Sequence, residues 1–165
     1  MFITGYHGTT MDSAKKIIKD NAFLISNKND EWLGEGIYFY EKYSDAIKWE
    51  LKDKHKSEAV LHVIVEINND EYIDFDSDEG KKLFEGMMRI IKEENIVIDD
   101  KSSQKNQCST MNYIWQNNPN IKVIFASFPT EKSIYKVMLP YRTLRREFCV
   151  RSNDVIKDIT LLGGK

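Results

Sequence analysis

Cysteine is scarce in this chain, long apolar runs are absent, and charge is nearly balanced. Two cysteines, Cys108 and Cys149, stand far apart among 165 residues. A disulfide framework is therefore excluded as the basis of the fold, and a reducing compartment is the expected setting. No apolar run approaches the roughly 20 residues that a membrane-spanning helix needs. The N-terminus also lacks the charged head and apolar stretch of a secretory leader. These absences predict a soluble, cytoplasmic protein with no membrane partner. The three histidines, His7, His55 and His62, show no ligand spacing, and the cysteines are too separated for a zinc signature, so no metal is expected. A net charge of −2 argues against a generic basic coat for nucleic acid.

What is present is the composition of an ordinary globular domain, 41% hydrophobic and 30% charged. The length suits one domain, residues 1–165, large enough to bury its own core. Along the chain, Phe2 to Tyr6 reads as a short strand and Asp12 to Asp20 as a helix capped by Thr10 or Asp12. Ser26 to Trp32 reads as a polar loop, Gly36 to Tyr40 as a strand, and Tyr43 to Lys54 as a helix. Val60 to Ile67, β-branched and nearly uninterrupted, is the strongest strand and reads as central. Tyr72 to Phe75 is a short companion, and Asp78 to Glu94 is the longest helix, with Leu83, Phe84, Met87, Ile90 and Ile91 at helical spacing. Asp99 to Gln107 is loop-like and Ser109 to Gln116 a short helix. Ile121 to Phe128, Tyr135 to Leu139, Phe148 to Val150 and Val155 to Leu162 supply further strands. The expected class is α+β.

Chemistry concentrates in two places near the front. His7-Gly8-Thr9 closes the first strand, and Gly34-Glu35-Gly36-Ile37-Tyr38-Phe39 presents an aromatic hydroxyl after a glycine turn. A glycine beside each permits close approach of a ligand to the backbone. Read singly, His7 is a structural hydrogen-bonder and the glycine run only a turn. Near the other end, Glu147 leads into an apolar β-run, where the bland reading is a surface glutamate. Glu66, Glu131 and Asp154 compete with it but introduce no strand in that part of the chain.

Together these motifs resemble the His-Tyr-Glu branch of the ADP-ribosyltransferases, of the diphtheria-toxin and poly(ADP-ribose) polymerase type. The resemblance implies a fold of two packed, mainly antiparallel sheets with flanking helices, and NAD as a substrate. It implies catalytic roles for His7, Tyr38 and Glu147, and NAD contacts from His7, Gly8, Thr9, Tyr38, Ser44 and Trp49. In that family the histidine bonds the adenosine ribose, and the main chain of the next glycine holds the nicotinamide carboxamide. The tyrosine and a second aromatic stack on the cationic ring, a contact worth about 0.5–2 kcal/mol. Trp49 takes the second place by spacing, with Tyr43 the fallback and a core role the alternative. Ser44 matches the carboxamide-bonding hydroxyl, and Trp32 is the sizeable residue of the expected lid. The glutamate stabilises the oxocarbenium-like charge formed when nicotinamide leaves, and helps to deprotonate the acceptor.

The residue two before Glu147 is Arg145, so the Glu-X-Glu pair of arginine-directed transferases is absent. Arg142, Arg145, Arg146 and Arg151 surround Glu147, either as a charged strand edge or as a phosphate-binding rim. The resemblance implies a mono-ADP-ribosyltransferase acting on nucleic acid or protein, of a compact bacterial toxin, effector or phage-defence type with a neutralising antitoxin or immunity partner. NAD hydrolysis, NAD-dependent removal of an RNA 2′-phosphate and a non-catalytic nucleotide-binding module are the alternatives.

Overall fold

A computed structural model describes residues 1–48, 57–94, 103–129 and 144–162. In chain order the elements are β1 (Phe2–Thr9), α1 (Met11–Asp20), β2 (Ile37–Tyr40), α2 (Tyr43–Ile47), β3 (Ala59–Glu66), β4 (Tyr72–Asp74), α3 (Asp78–Glu93), α4 (Ser103–Asn117), β5 (Val123–Pro129), β6 (Leu144–Val150) and β7 (Ile156–Leu162), with a 3-10 turn at Asn153–Val155. Caps appear where the sequence supplies them. The Thr10 side chain accepts from the Ser13 N–H at the start of α1, and Ser77 accepts from the Gly80 N–H at the start of α3.

The expectation of two packed sheets is corrected: the strands form one seven-stranded sheet in the order β4-β5-β6-β2-β1-β3-β7. The reason lies in β6. It runs from Leu144, longer than the expected Phe148 to Val150, and pairs antiparallel with β5 on one side and β2 on the other. It thereby joins the strands of the middle of the chain to those of the front. β4 and β5 alone run parallel, so the α+β class stands and the sheet is mostly antiparallel.

Two further differences matter. β1 extends through His7, Gly8 and Thr9, because its pairing with β3 continues from Phe2↔Glu66 to Thr9↔Ala59. Residues 103–107, read as loop, begin α4 instead; their run of polar residues carries no apolar period to announce a helix. The expected strand Tyr135 to Leu139 and most of the expected helix beyond Lys48 lie outside the described residues.

Strand alternation divides the sheet into two faces. On one, Phe39, Leu61, Val63, Val65, Phe125 and Phe148 pack with Ala14 of α1 and with Phe23. On the other, Ile124, Ala126 and Cys149 pack with Leu33 and with Met111, Ile114 and Trp115 of α4, while Tyr40 and Val60 pack with Ala46 of α2. Phe148 is the hub of the first core. Its ring lies against Phe39 at 5.2 Å and Phe125 at 5.3 Å, in space that Gly5 leaves by having no side chain. Truncating it to Phe148→Ala removes that packing and leaves a cavity, so urea denaturation is expected to show a loss of about 3–5 kcal/mol.

Candidate active site

Hydrogen-bond direction shows how the site is built. Met1 and Ile67 exchange both bonds across the β1–β3 ladder, so the odd residues of β1 face β3 and the even ones, Tyr6 and Gly8, face β2. Glu41 N–H donates to the Arg146 carbonyl, so Tyr40 and Tyr38 of β2 face β1. Yet β1 and β2 pair at a single position, Tyr6↔Tyr40. The next pair, Gly8↔Tyr38, does not form. The His7 ring enters the seam and Nδ1 donates to the Tyr38 carbonyl at 2.9 Å. Because a carbonyl only accepts, Nδ1 carries the proton and Nε2 is the acceptor of the neutral ring. His7 packs edge-on against Phe23 and Phe39 on the α1 side. Burial pushes its pKa down, and the bond to Tyr38 only partly offsets this.

Gly8 has no room for a side chain. An added Cβ would stand 2.2 Å from the Ala46 carbonyl oxygen of α2 and 2.3 Å from the Ser57 hydroxyl. That crowding lies above the strand, whereas the main-chain edge of Gly8 faces the seam.

The Tyr38 side chain lies on the face opposite His7. Its hydroxyl donates to the Gly34 carbonyl at 2.7 Å and accepts from the Leu33 N–H at 2.9 Å. Burial pushes its pKa well up. The hydroxyl therefore fastens the glycine turn, and what it offers a ligand is its ring. α4 fastens the same turn from outside. Asn112 accepts from Glu35 N–H, and the Trp115 indole donates to the Leu33 carbonyl. Gly34 itself has φ +80°, a backbone conformation that favours glycine.

Glu147 is the one buried carboxylate among the described residues. It pairs across the sheet with Tyr40 rather than Tyr38. Ala126, Glu147, Tyr40, Tyr6 and His62 form one row, in register on five adjacent strands. The Arg145 Nε donates to Glu147 Oε1 at 2.9 Å, and its guanidinium lies 4.9 Å from the centre of the Tyr40 ring. Burial raises the Glu147 pKa, and the Arg145 charge pulls against it. Sequence reasoning missed Tyr40 and read Arg145 only as part of a strand edge or phosphate rim, although each stands two residues from a predicted site residue in a strand, and so on the same face.

The remaining expectations divide. Thr9 is buried, Ser44 is exposed on α2, and the α2 group that touches the Gly8 region is the Ala46 carbonyl. Trp49 lies outside the described residues, and Tyr43 packs edge-on against Tyr6 at 5.9 Å. Trp32 leans on Phe128. Glu66 and Asp154 are exposed, and Glu131 lies outside the described residues. The described arginines do not form a strand edge, since β6 is internal, nor a free phosphate rim. Arg146 binds Glu41, Asp74 and Asp76. Arg151 donates to the Glu35 carbonyl and stacks over Trp115, and Arg142 lies outside the described residues. Among the described residues no helix is long and apolar enough to cross a membrane.

No family model matches the chain. An uncharacterized protein of Methanocaldococcus jannaschii is 29% identical over 185 aligned positions, covering 95% of this chain and 86% of that protein. The likeness thus runs through the middle of the chain as well as its ends.

The Arg145–Glu147 pair gives a direct test. The folded state disfavours the Glu147 carboxylate, so its contribution to stability is present at low pH and is lost as pH rises from the ordinary carboxylate range through the raised pKa. Arg145→Gln removes the largest opposing charge. Carboxyl-carbon NMR titration is expected to find the Glu147 pKa above the ordinary value in the parent chain and higher still in the variant. An unchanged value in the variant would refute the coupling.

Proposed function

We propose that the chain is a mono-ADP-ribosyltransferase, cleaving NAD and transferring ADP-ribose to a macromolecular acceptor. The observation that carries this reading is a buried carboxyl group, Glu147, paired with Arg145 and set on the same sheet face as Tyr38 and Tyr40. It stands one strand from the seam where the Gly8 main chain faces β2. The carboxamide of nicotinamide has one donor and one acceptor edge, which suits the N–H and C=O of a single strand residue. The Tyr38 ring offers an apolar face to the pyridinium. As the glycosidic bond breaks, nicotinamide leaves with the bonding electron pair and positive charge develops on the ribose. Glu147 stabilises that charge from a site already desolvated, where a fixed carboxylate acts most strongly. The acceptor then attacks the ribose carbon and gives up its proton, for which Glu147 is the nearest base. His7 secures the seam through Tyr38, and its Nε2 is the acceptor it offers a ribose hydroxyl.

Three variants test this. With NAD labelled in the adenylate half and cell extract, the parent chain is expected to place label on macromolecules. Glu147→Gln is expected to lower the rate by about 10²–10³-fold with an unchanged circular-dichroism spectrum. Full activity in Glu147→Gln would sink the assignment, and free ADP-ribose as sole product would turn the reading to hydrolysis. Tyr38→Phe keeps the ring but loses two hydrogen bonds, so it is expected to lose about 1–3 kcal/mol of stability while NAD cleavage persists. Tyr38→Ala is expected to abolish cleavage.

A further inference from the structure

One cross-strand step from Glu147, on the same face, lies a cavity of about 240 Å³ that NAD cleavage does not use. Ala126 and Phe128 of β5 form its floor, Phe75 and Phe84 its aromatic wall, and Lys81, Glu85 and Gln107 line it as well. Phe75 and Phe84 meet edge to face at 5.4 Å, and Trp32 rests on Phe128 beside the opening. The Gln107 carboxamide is held by donation to the Trp32 carbonyl at 3.1 Å. Among the described residues Lys81 makes a long, exposed ion pair with Asp78 within its own helix, which leaves its ammonium able to swing.

The dimensions and chemistry select a ligand class. The volume is below the roughly 300–1,000 Å³ of pockets for drug-sized ligands, so it admits one ring system and not a dinucleotide or a peptide helix. Its walls are aromatic and aliphatic, suited to a flat body. Its polar members are a cation, a carboxylate and a carboxamide, which together supply donors and acceptors. A phenylalanine ring would leave all three unused, and tyrosine or tryptophan would use one. A nucleobase has both a face that stacks on an aromatic side chain and an edge carrying donors and acceptors. Ala126 pairs directly with Glu147, and such pairs have Cβ atoms about 4.5–5.5 Å apart. A base in the cavity would therefore lie beside the strand that carries the carboxylate.

We propose that this cavity holds a single unstacked nucleobase of the acceptor. That it is the acceptor rests on the transferase reading; that a base binds there does not. The described arginines near Glu147 are committed to internal partners, so recognition is led by the base rather than by phosphates.

Calorimetric titration with adenosine, guanosine, cytidine and uridine, with and without NAD, tests the proposal, with N-acetyl-tryptophanamide as the peptide-like probe. At least one nucleoside is expected to bind, and to bind equally well with NAD present. The double variant Glu85→Gln/Gln107→Ala is expected to weaken it at least tenfold while cleavage of NAD to free nicotinamide is unchanged. A single-stranded oligonucleotide binding at least tenfold tighter than the nucleoside monophosphate identifies the source as a strand, and equal binding identifies a free nucleotide. No nucleoside binding, tighter binding of N-acetyl-tryptophanamide, or competition between nucleoside and NAD would each overturn it. Nucleoside binding with no NAD cleavage would instead remove the transferase reading and, with it, the role as acceptor.

Discussion

Arg146 fixes the register of the strand on which the site depends. Its Nε reaches Glu41 at 2.7 Å, and its two terminal nitrogens reach Asp76 and Asp74 at 2.8 Å each. The guanidinium lies over the Phe125 ring at 5.3 Å. Asp76 also accepts from the Ser127 N–H and hydroxyl. One side chain thus ties together the ends of β2 and β4, the turn after β4, and the strands β5 and β6. Arginine suits this because its planar fork presents several donors at fixed angles, which lysine would not reproduce. Side chains alternate along a strand, so holding Arg146 on the α1 side sends its neighbour Glu147 to the other face. A slip of one residue would exchange them, losing three ion pairs and placing the site carboxylate in the wrong core.

The placement of β6 also gives β2 two unlike edges. Toward β6 it pairs at every residue from Ile37 to Tyr40, and toward β1 it pairs once. A strand held so firmly on one side can part from its neighbour on the other without unfolding. The His7 ring then satisfies the Tyr38 carbonyl that the missing ladder would have used, which keeps a buried acceptor paired. The glycine turn before β2 is held independently by Tyr38, Asn112, Trp115 and Arg151. The middle of the chain, which carries no motif, therefore has a definite structural role, because α4 braces the turn that leads into the site.

Residue type was legible in the sequence where motifs combine, and direction was not. His7, Gly8, Tyr38 and Glu147 stand out only together: a histidine-glycine strand end, a tyrosine after paired glycines and a glutamate before an apolar run are each ordinary when read singly. Period-two alternation within Ile37 to Tyr40 predicts that Tyr38 and Tyr40 share a face, but nothing local says that β1 sets His7 on the other. That depends on which strands are neighbours, a long-range property. The same applies to the single sheet: Phe148 to Val150 announces a strand, whereas its extension back to Leu144 runs through charged residues, and the partners of Arg146 there are Glu41, Asp74 and Asp76. Charges that would otherwise mark an exposed edge are here paired across the interior of a sheet.

The neighbouring arginines take different roles through that alternation. Arg146, on one face, serves the fold. Arg145, on the other, serves Glu147, and the need for it follows from burial. On the proposed reading the carboxylate would have to be ionised to stabilise a developing cation, yet the desolvation that makes its field effective also favours its neutral form. A nearby positive charge opposes that effect of burial without readmitting water. Stacking on Tyr40 limits where that charge can sit, since the ring supports the guanidinium while its Nε remains on the carboxylate. On the proposed reading, positive charge would develop on the ribose only as the glycosidic bond breaks, and Arg145 and that charge would then compete for one carboxylate. A partly exposed arginine on an aromatic ring can rotate away at lower cost than a fully buried one, and Arg145 is of the former kind, its side chain 30% exposed. On that reading the pair would reconcile a buried carboxyl group in the resting protein with a positive charge that forms beside it only during the reaction.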